Sequence, residues 1–147
     1  MNLFTPQALA KELAEVQARI AKGAKLIAGL KEAEIEISLT PKDEVWRSDS
    51  AALYRYRPLV ERPLPVPVLI CYALIGTYDM VDLETERSFV KKLLGAGLDV
   101  YVVDWGKPKR SQRWHGFDDY VNGYLDDCVD VLREASGAQA ISLLGIC

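Results

Sequence analysis

Between residues 68 and 144, short apolar segments alternate with amphipathic ones, and this alternation constrains the fold more than any other feature of the chain. The apolar segments are Val68–Leu74, Val100–Val103 and Ala140–Leu144. Each is mainly hydrophobic, as expected for a strand that is covered on both faces. The segments between them repeat apolar residues at helical spacing, and a crossover helix makes the strands it joins parallel. The sequence therefore predicts an α/β fold with a mostly parallel sheet.

Capping residues predict the limits of the two crossover helices. The first helix is predicted to begin at Asp82 as its N-cap and to end at Gly95–Gly97. The second is predicted to run from about Phe117 to Ala135, where Gly137 ends it.

Two further strands are predicted ahead of residue 68. Val45–Arg47 and Leu53–Arg57 are rich in aromatic and apolar residues, and Pro58 ends the second segment. The pair fits an antiparallel hairpin at the edge of the sheet.

The N-terminal residues predict one long amphipathic helix, which begins at Pro6 with Thr5 as its N-cap and continues to about Glu34. Its apolar side chains recur at alternating steps of three and four residues, as in a heptad seam. They are Leu9, Leu13, Val16, Ile20, Ile27 and Leu30, with Gly23 in place of one apolar side chain. The seam fits docking on a second subunit and packing across its own domain equally well. The chain is thereby divided into an N-terminal helical segment, residues 1–40, and an α/β core, residues 41–147.

Charge and hydrophobicity argue against two classes of partner. Eighteen Lys and Arg residues against 21 Asp and Glu residues give a net charge of −3, so no basic surface for nucleic acid or an anionic membrane is predicted. The longest apolar run, Val66–Ile75, is about half the roughly 20 residues that a transmembrane helix needs. The N-terminus shows no secretory signal pattern, so a cytoplasmic location is expected.

The cysteines Cys71, Cys128 and Cys147 are far apart and form no C-x-x-C pair, so neither a disulfide framework nor a metal site is predicted. Cys71 falls within a predicted strand and Cys128 on the apolar face of a predicted helix. In such positions a free cysteine packs as a small hydrophobic residue.

Cys147 has a different setting, because Gly145-Ile146-Cys147 follows a predicted strand as the first half of a G-x-C-x-G nucleophile elbow. In an elbow the nucleophile occupies a strained turn between a strand and a helix. The order of strands and helices that leads into this motif resembles an α/β-hydrolase core. Cys147 is therefore the predicted nucleophile, and an inert thiol after a strand-ending glycine is the structural alternative.

Seven segments spread over nearly the whole chain narrow this resemblance. They are Thr40–Val45, Leu53–Tyr56, Tyr78 with Met80–Leu83, Asp104–Gly106, Arg113–Trp114, Asp118–Asp126 and Leu143–Cys147. Together they resemble the catalytic subunit of two-subunit polyhydroxyalkanoate synthases, class III or the related class IV. The resemblance implies that the chain is the N-terminal portion of an α/β-hydrolase fold, preceded by the long helix.

The resemblance also implies an activity, namely polymerisation of (R)-3-hydroxyacyl-coenzyme A into a poly-3-hydroxybutyrate type of polyester with release of coenzyme A. Cys147 would carry the growing acyl chain as a thioester, which stays activated for the next transfer. A helix N-terminus at the elbow would favour the thiolate. No cofactor is implied beyond the coenzyme A thioester substrate.

The implied partners are the 3-hydroxyacyl-coenzyme A substrate, the polyester chain and a second synthase subunit, and a homo-oligomer stays open. The implied location is the cytoplasm, at the surface of polyester storage granules.

The catalytic aspartate and histidine of such synthases follow the nucleophile, so the chain is expected to be an incomplete part of the subunit and inactive alone. His115 is the only histidine, precedes Cys147 and is expected in a surface loop. Asp104 is expected to make a structural hydrogen bond. The second donor of the oxyanion hole is expected in the loop after Val68–Leu74, with Ile75 as the candidate. There Gly76–Asp79 replaces the asparagine and Arg-Pro pair that are usual in the family.

Two other classes stay open on the sequence. A cysteine hydrolase of the dienelactone-hydrolase kind would share the elbow, but not the long first helix or the Asp118–Asp126 segment. A non-catalytic fragment could bind a partner subunit through the first helix alone.

Overall fold

The computed structural model describes residues 6–29, 37 and 40–146, with only the backbone described for residues 6–9. The chain divides into two compact units, Met1–Glu36 and Ile37–Cys147. In the described residues, no helix is both long enough and apolar enough to cross a lipid bilayer.

Among its described residues, the first unit contains one helix, α1, which spans Pro6–Gly29. The predicted helix over this range is confirmed, whereas the predicted cap Thr5 and the predicted continuation to Glu34 lie outside the described residues. The seam side chains that are described are more than half exposed, at 54% for Leu13, 51% for Val16, 66% for Ile20 and 72% for Ile27. The described seam residues therefore form an exposed apolar stripe along α1, which Gly23 interrupts.

The second unit is built on a sheet that has five strands within the described residues. These are β1 (Lys42–Ser48), β2 (Ala51–Tyr56), β3 (Val68–Cys71), β4 (Val100–Asp104) and β5 (Ser142–Gly145), in the spatial order β1-β2-β4-β3-β5. β1 and β2 form the predicted antiparallel hairpin at one edge, and β2 also pairs antiparallel with β4. β3 lies parallel to both β4 and β5. The three predicted crossover strands are therefore parallel, and the hairpin makes the sheet mixed.

β3 is shorter than its sequence pattern predicts. It ends at Cys71, three residues before Leu74. The next carbonyl, that of Tyr72, accepts a hydrogen bond from the Trp105 side chain, so this residue no longer pairs as part of a strand.

The first crossover helix, α2, spans Phe89–Gly95 and is capped by Ser88, whose Oγ accepts a 2.9 Å hydrogen bond from the Lys91 N–H. The prediction that Asp82 caps this helix is wrong. Asp82 is 2% exposed, and its carboxylate accepts hydrogen bonds from the backbone and hydroxyl of Thr40 and from the Ser88 hydroxyl. It fastens the chain ahead of β1 to the start of α2, a tertiary role that local spacing does not reveal.

The second crossover helix begins at Phe117 as predicted. It is π-helical over Asp119–Leu125 and continues as α3 over Asp126–Ser136. Gly137 ends it in the left-handed conformation, with φ of 66°, which confirms the predicted C-terminus. The π-helical segment was not predicted, because apolar periodicity does not separate it from an α-helix.

Both faces of the sheet are covered. On one face α2 packs against alternate strand residues, and the cluster includes Tyr56, Ile70, Val90, Leu94, Val100 and Val102. On the other face the second crossover helix closes a cluster that includes Leu53, Leu69, Tyr101, Val103, Tyr124, Cys128 and Leu132. Each fully buried aliphatic side chain contributes about 1.5–3 kcal/mol relative to an exposed one.

One ion pair links the hairpin to β4, and another joins its own two arms. Arg55 donates two hydrogen bonds of 3.0 Å to Asp99, whose side chain is 8% exposed. Arg57 pairs in the same bidentate way with Asp43, but both of these side chains are more than half exposed. The Arg55–Asp99 pair therefore holds β2 to the start of β4, with the carboxylate buried and the guanidinium partly exposed.

Candidate active site

The parallel strands β3, β4 and β5 end at one edge of the sheet, which we call the carboxyl edge. Cys71 at the end of β3 pairs with Val103 of β4 and with Gly145 of β5. The Ile146 N–H donates a 3.0 Å hydrogen bond to the Cys71 carbonyl. Cys147 lies outside the described residues, and the residue that precedes it is thus held against the end of β3.

A cavity of about 590 Å³ opens at the carboxyl edge, within the range that is usual for small-molecule sites. Residues of β3 and β5, the residue that follows β4 and residues of the second crossover helix contribute to it. It is lined by Cys71, Tyr72, Ala73, Leu74, Ile75, Trp105, Phe117, Tyr120, Val121, Leu125, Gly145 and Ile146. The side chains of Ile75 and Phe117 are 95% and 70% exposed. The lining is almost wholly apolar, which suits an acyl group.

Trp105 forms one wall of the cavity. It follows β4 and is 7% exposed. Its Nε1 donates a 2.8 Å hydrogen bond to the Tyr72 carbonyl, and its carbonyl accepts a 3.0 Å hydrogen bond from the Ser50 hydroxyl. The Tyr120 ring meets the indole edge-on, with ring centroids 5.7 Å apart. The indole is therefore held from several sides.

The loop after β3 carries Ile75, the predicted oxyanion donor, and brings it to the rim of the cavity. Gly76 follows with φ of 130°, a conformation that is essentially reserved for glycine. A Cβ at Gly76 would also lie 3.3 Å from Cε1 of the Tyr72 ring. Ile75 and Ile146, the residue before Cys147, thus line the same cavity.

Asp104 makes the structural hydrogen bond that was expected of it. Its Oδ1 accepts a 2.8 Å hydrogen bond from the Gly106 N–H. Gly106 has φ of 63°, and a Cβ there would lie 2.0 Å from the Ser50 carbonyl oxygen. Only glycine permits this close approach between the end of β4 and the hairpin turn.

His115 lies in a loop, as expected, but it is half-buried. Its Nδ1 lies 3.2 Å from the Tyr124 hydroxyl. That hydroxyl donates a 2.7 Å hydrogen bond to Asp49 and accepts one of 3.3 Å from Gln112. Burial, and after it the hydrogen bond to the Asp49 carboxylate, raise the pKa of Tyr124. His115 is therefore part of a structural network and is not among the residues that line the cavity.

The two described thiols differ in position. Cys128 is fully buried, as expected for a structural cysteine, and burial together with the charge of Asp127 raises its pKa to about 12. Cys71 is half-buried and lines the cavity, and burial raises its pKa as well. Because the thiolate is the nucleophile, both thiols are poor nucleophiles at neutral pH.

The sequence did not reveal the aromatic wall of the cavity, formed by Trp105, Phe117 and Tyr120. The order of strands and helices in the sequence could have indicated two of these residues. Trp105 directly follows a predicted parallel strand and Phe117 starts a helix, and both positions favour the carboxyl edge of an α/β sheet.

Comparisons with known proteins show the family of the chain. Residues 8–93 match the family model for the N-terminus of poly-beta-hydroxybutyrate polymerase (PhaC). The chain is 49% identical over 125 residues to the poly(3-hydroxyalkanoate) polymerase subunit PhaC of Synechocystis, covering 85% of this chain and 33% of that protein. It is 42% identical over 144 residues to the subunit of Allochromatium vinosum, covering 97% of this chain and 40% of that protein. It is 42% identical over 114 residues to the subunit of Haloferax mediterranei, covering 78% of this chain and 23% of that protein.

The chain thus spans no more than two fifths of the length of these relatives. The matched residues 8–93 make up more than half of the chain, and they include the hairpin, β3 and most of α2. The chain therefore belongs to the family of poly-beta-hydroxybutyrate polymerase (PhaC) N-termini.

Proposed function

We propose that the protein polymerises (R)-3-hydroxyacyl-coenzyme A into polyhydroxyalkanoate, with Cys147 as the covalent nucleophile. One observation carries the proposal: the segment that leads into Cys147 borders an apolar cavity at the carboxyl edge of parallel strands. The relatives named as poly(3-hydroxyalkanoate) polymerase subunits support the same substrate class.

The chemistry needs a thiol that is ionised and reachable. The Cys147 thiolate attacks the carbonyl carbon of the substrate thioester, and coenzyme A leaves as its thiol once it takes up a proton. The acyl group is then a thioester of Cys147, which the hydroxyl of another acyl unit attacks in turn. Cys71 is a weaker candidate, because burial raises its pKa.

The negative charge that develops on the thioester oxygen needs N–H donors. We assign one to the residue after Cys147 and one to Ile75, following the arrangement of an α/β-hydrolase elbow. The position of Ile75 at the cavity rim supports this assignment. The parallel pairing of β3 with β5 supports the α/β-hydrolase fold itself.

The catalytic histidine and aspartate are proposed to lie beyond residue 147, as the greater length of the relatives supports. The 147 residues alone should then release no coenzyme A from 3-hydroxybutyryl-coenzyme A. A missing general base costs about 10²-fold or more. A thiol-release assay on the purified 147-residue chain checks this, and turnover at the rate of the full-length protein would contradict it.

The exposed seam of α1 supports a class III or class IV enzyme that binds a second subunit, at the surface of cytoplasmic polyester granules. Replacing Leu13 and Ile20 by Asp should weaken binding of that subunit by about 100-fold or more, because a charge in an apolar seam must be desolvated. The matched control is Ala14→Asp with Ala21→Asp, which adds the same charges away from the seam. Equal binding by the two double variants, measured by calorimetry, would show that the seam does not bind the subunit.

Mapping the acyl-enzyme tests the proposed function directly. The full-length protein is incubated with a 3-hydroxyacyl thioester analogue that cannot elongate, and the adduct is located by mass spectrometry. We expect the adduct on Cys147. The variant Cys128→Ala should carry the same adduct, because Cys128 is fully buried and is not among the residues that line the cavity. An adduct on Cys71 would overturn the assignment. With the natural thioester, free 3-hydroxy acid in place of polyester would indicate a hydrolase.

A further inference from the structure

Two consecutive backbone carbonyls at the end of β3 accept hydrogen bonds from different parts of the chain. The Cys71 carbonyl accepts a 3.0 Å hydrogen bond from the Ile146 N–H, on the residue before Cys147. The Tyr72 carbonyl accepts a 2.8 Å hydrogen bond from Nε1 of Trp105, the residue after β4. The first bond ties β3 to the segment that leads into the nucleophile, and the second fixes the start of the loop that carries Ile75.

The Trp105 side chain is itself fixed, because the hairpin turn holds its backbone. The Ser50 hydroxyl donates to the Trp105 carbonyl and accepts a 2.9 Å hydrogen bond from Gln112. The close approach of Gly106 to Ser50 leaves the end of β4 little room to shift. The Tyr120 ring covers the indole from the helix side.

The loop that follows Tyr72 has few other restraints. Leu74 is 41% exposed and Ile75 is 95% exposed, so their side chains anchor it little. The Tyr72 ring lies beneath Gly76, within contact distance of the site of a Cβ. The place of the loop therefore depends on where Tyr72 is held.

We infer that Trp105 is a positioning residue, whose indole N–H holds the Tyr72–Gly76 loop so that the Ile75 N–H faces the acyl group on Cys147. The inference rests on the proposed function, which makes Ile75 an oxyanion donor. Such a donor acts over about 2.7–3.1 Å. A misplacement of about 1 Å can reduce the rate by about 10²-fold.

The test compares Trp105→Phe with Trp114→Phe in the full-length protein. Trp105→Phe keeps an aromatic ring but removes the donor to Tyr72, whereas Trp114 is 81% exposed and serves as the matched control. The first measurement is single-turnover acylation by 3-hydroxybutyryl-coenzyme A. The second is alkylation of Cys147 by iodoacetamide, which needs no oxyanion donor. The third is amide hydrogen exchange over residues 72–77.

We expect Trp105→Phe to slow acylation by about 10- to 100-fold, to leave Cys147 alkylation within about threefold, and to speed exchange over residues 72–77. Trp114→Phe should change none of the three. Acylation at the wild-type rate, or an equal loss of acylation and alkylation, would overturn the inference, since the latter indicates a disrupted elbow.

Two further outcomes keep the test decisive. If the wild type forms no adduct on Cys147, the proposed function fails. The exchange measurement then still tests the loop: faster amide exchange in Trp105→Phe supports its anchoring by Trp105, and unchanged exchange overturns that anchoring. If Trp105→Phe does not fold, Ser50→Ala releases the Trp105 carbonyl and leaves the indole in place. It should slow acylation by a smaller factor without slowing alkylation, and an unchanged acylation rate would overturn the inference.

Discussion

The hairpin and the carboxyl edge are held by different kinds of interaction. At the hairpin, the bidentate Arg55–Asp99 and Arg57–Asp43 pairs link β2 to its neighbours. At the carboxyl edge, the lining is apolar and includes the highly exposed Ile75 and Phe117. Exposed apolar side chains contribute little to folding stability, but they favour binding of an apolar ligand. The contrast indicates that changes at the hairpin should affect stability and changes at the carboxyl edge should affect activity.

Cys147→Ser should give the largest effect and confine it to activity. The hydroxyl is a far weaker nucleophile and its ester is less activated, so we expect kcat to fall on the order of 10³-fold or more. Coenzyme A release and the thermal midpoint are measured on the same preparation of full-length protein. A shift of the thermal midpoint with an unchanged kcat would contradict the contrast between the hairpin and the carboxyl edge.

Phe117→Asp should raise the KM for the acyl thioester by about 10- to 100-fold, because it places a carboxylate at the mouth of an apolar cavity. The matched control is Phe89→Asp. Phe89 is also exposed and also begins a helix, but it does not line the cavity. An aspartate in the first turn of a helix is tolerated at both sites. Equal KM values for the two variants would show that the cavity does not bind the acyl group.

Arg55→Met should lower the free energy of unfolding by about 1–3 kcal/mol, because it leaves the buried Asp99 carboxylate without its partner. The value of kcat/KM should stay within about twofold. Arg57→Met is the matched control and should leave the urea midpoint unchanged, since its ion pair is exposed. Equal destabilisation by the two variants would mean that burial does not separate the two ion pairs.

Cys128 should give the smallest effect, as a pH dependence of stability. Its pKa is raised to about 12, whereas an unfolded thiol titrates near a pKa of about 8.5. The unfolded state therefore loses this proton first as pH rises, and the stabilisation present below about pH 8.5 is lost above it, by at most about 1.4 kcal/mol per pH unit. Urea midpoints between pH 7 and pH 10 should fall less steeply for Cys128→Ala. Parallel curves for variant and wild type would exclude Cys128 as the cause.

Local pattern predicted the elements of the core well, because strands and helices here follow hydrophobic periodicity and glycine caps. Phe117 and Gly137 mark helix limits that the sequence alone identified. Side-chain roles that depend on distant residues were not predictable. Asp82 is of a residue type that often caps helices, but its carboxylate accepts a hydrogen bond from the Thr40 N–H, 42 positions away in the sequence.

The same distinction between local pattern and contacts of distant residues applies to the candidate site. The motif Gly145-Ile146-Cys147 and the loop position of Ile75 could be identified from sequence order. The cavity could not, since Trp105, Phe117 and Tyr120 come together only when β4 and the second crossover helix pack. The half-buried place of His115 depends likewise on Tyr124 and Asp49, which belong to different elements.

The contact between Gly106 and Ser50 bears on how this family can be recombined. Since a Cβ on residue 106 would overlap the Ser50 carbonyl, the hairpin turn and the end of β4 form one structural unit although 56 positions separate Ser50 from Gly106. A chimera that takes residues 41–57 from one relative and the rest from another must keep glycine at 106 and the same turn at 49–50. Crossover points outside this pair should yield folded hybrids more often than points that divide it.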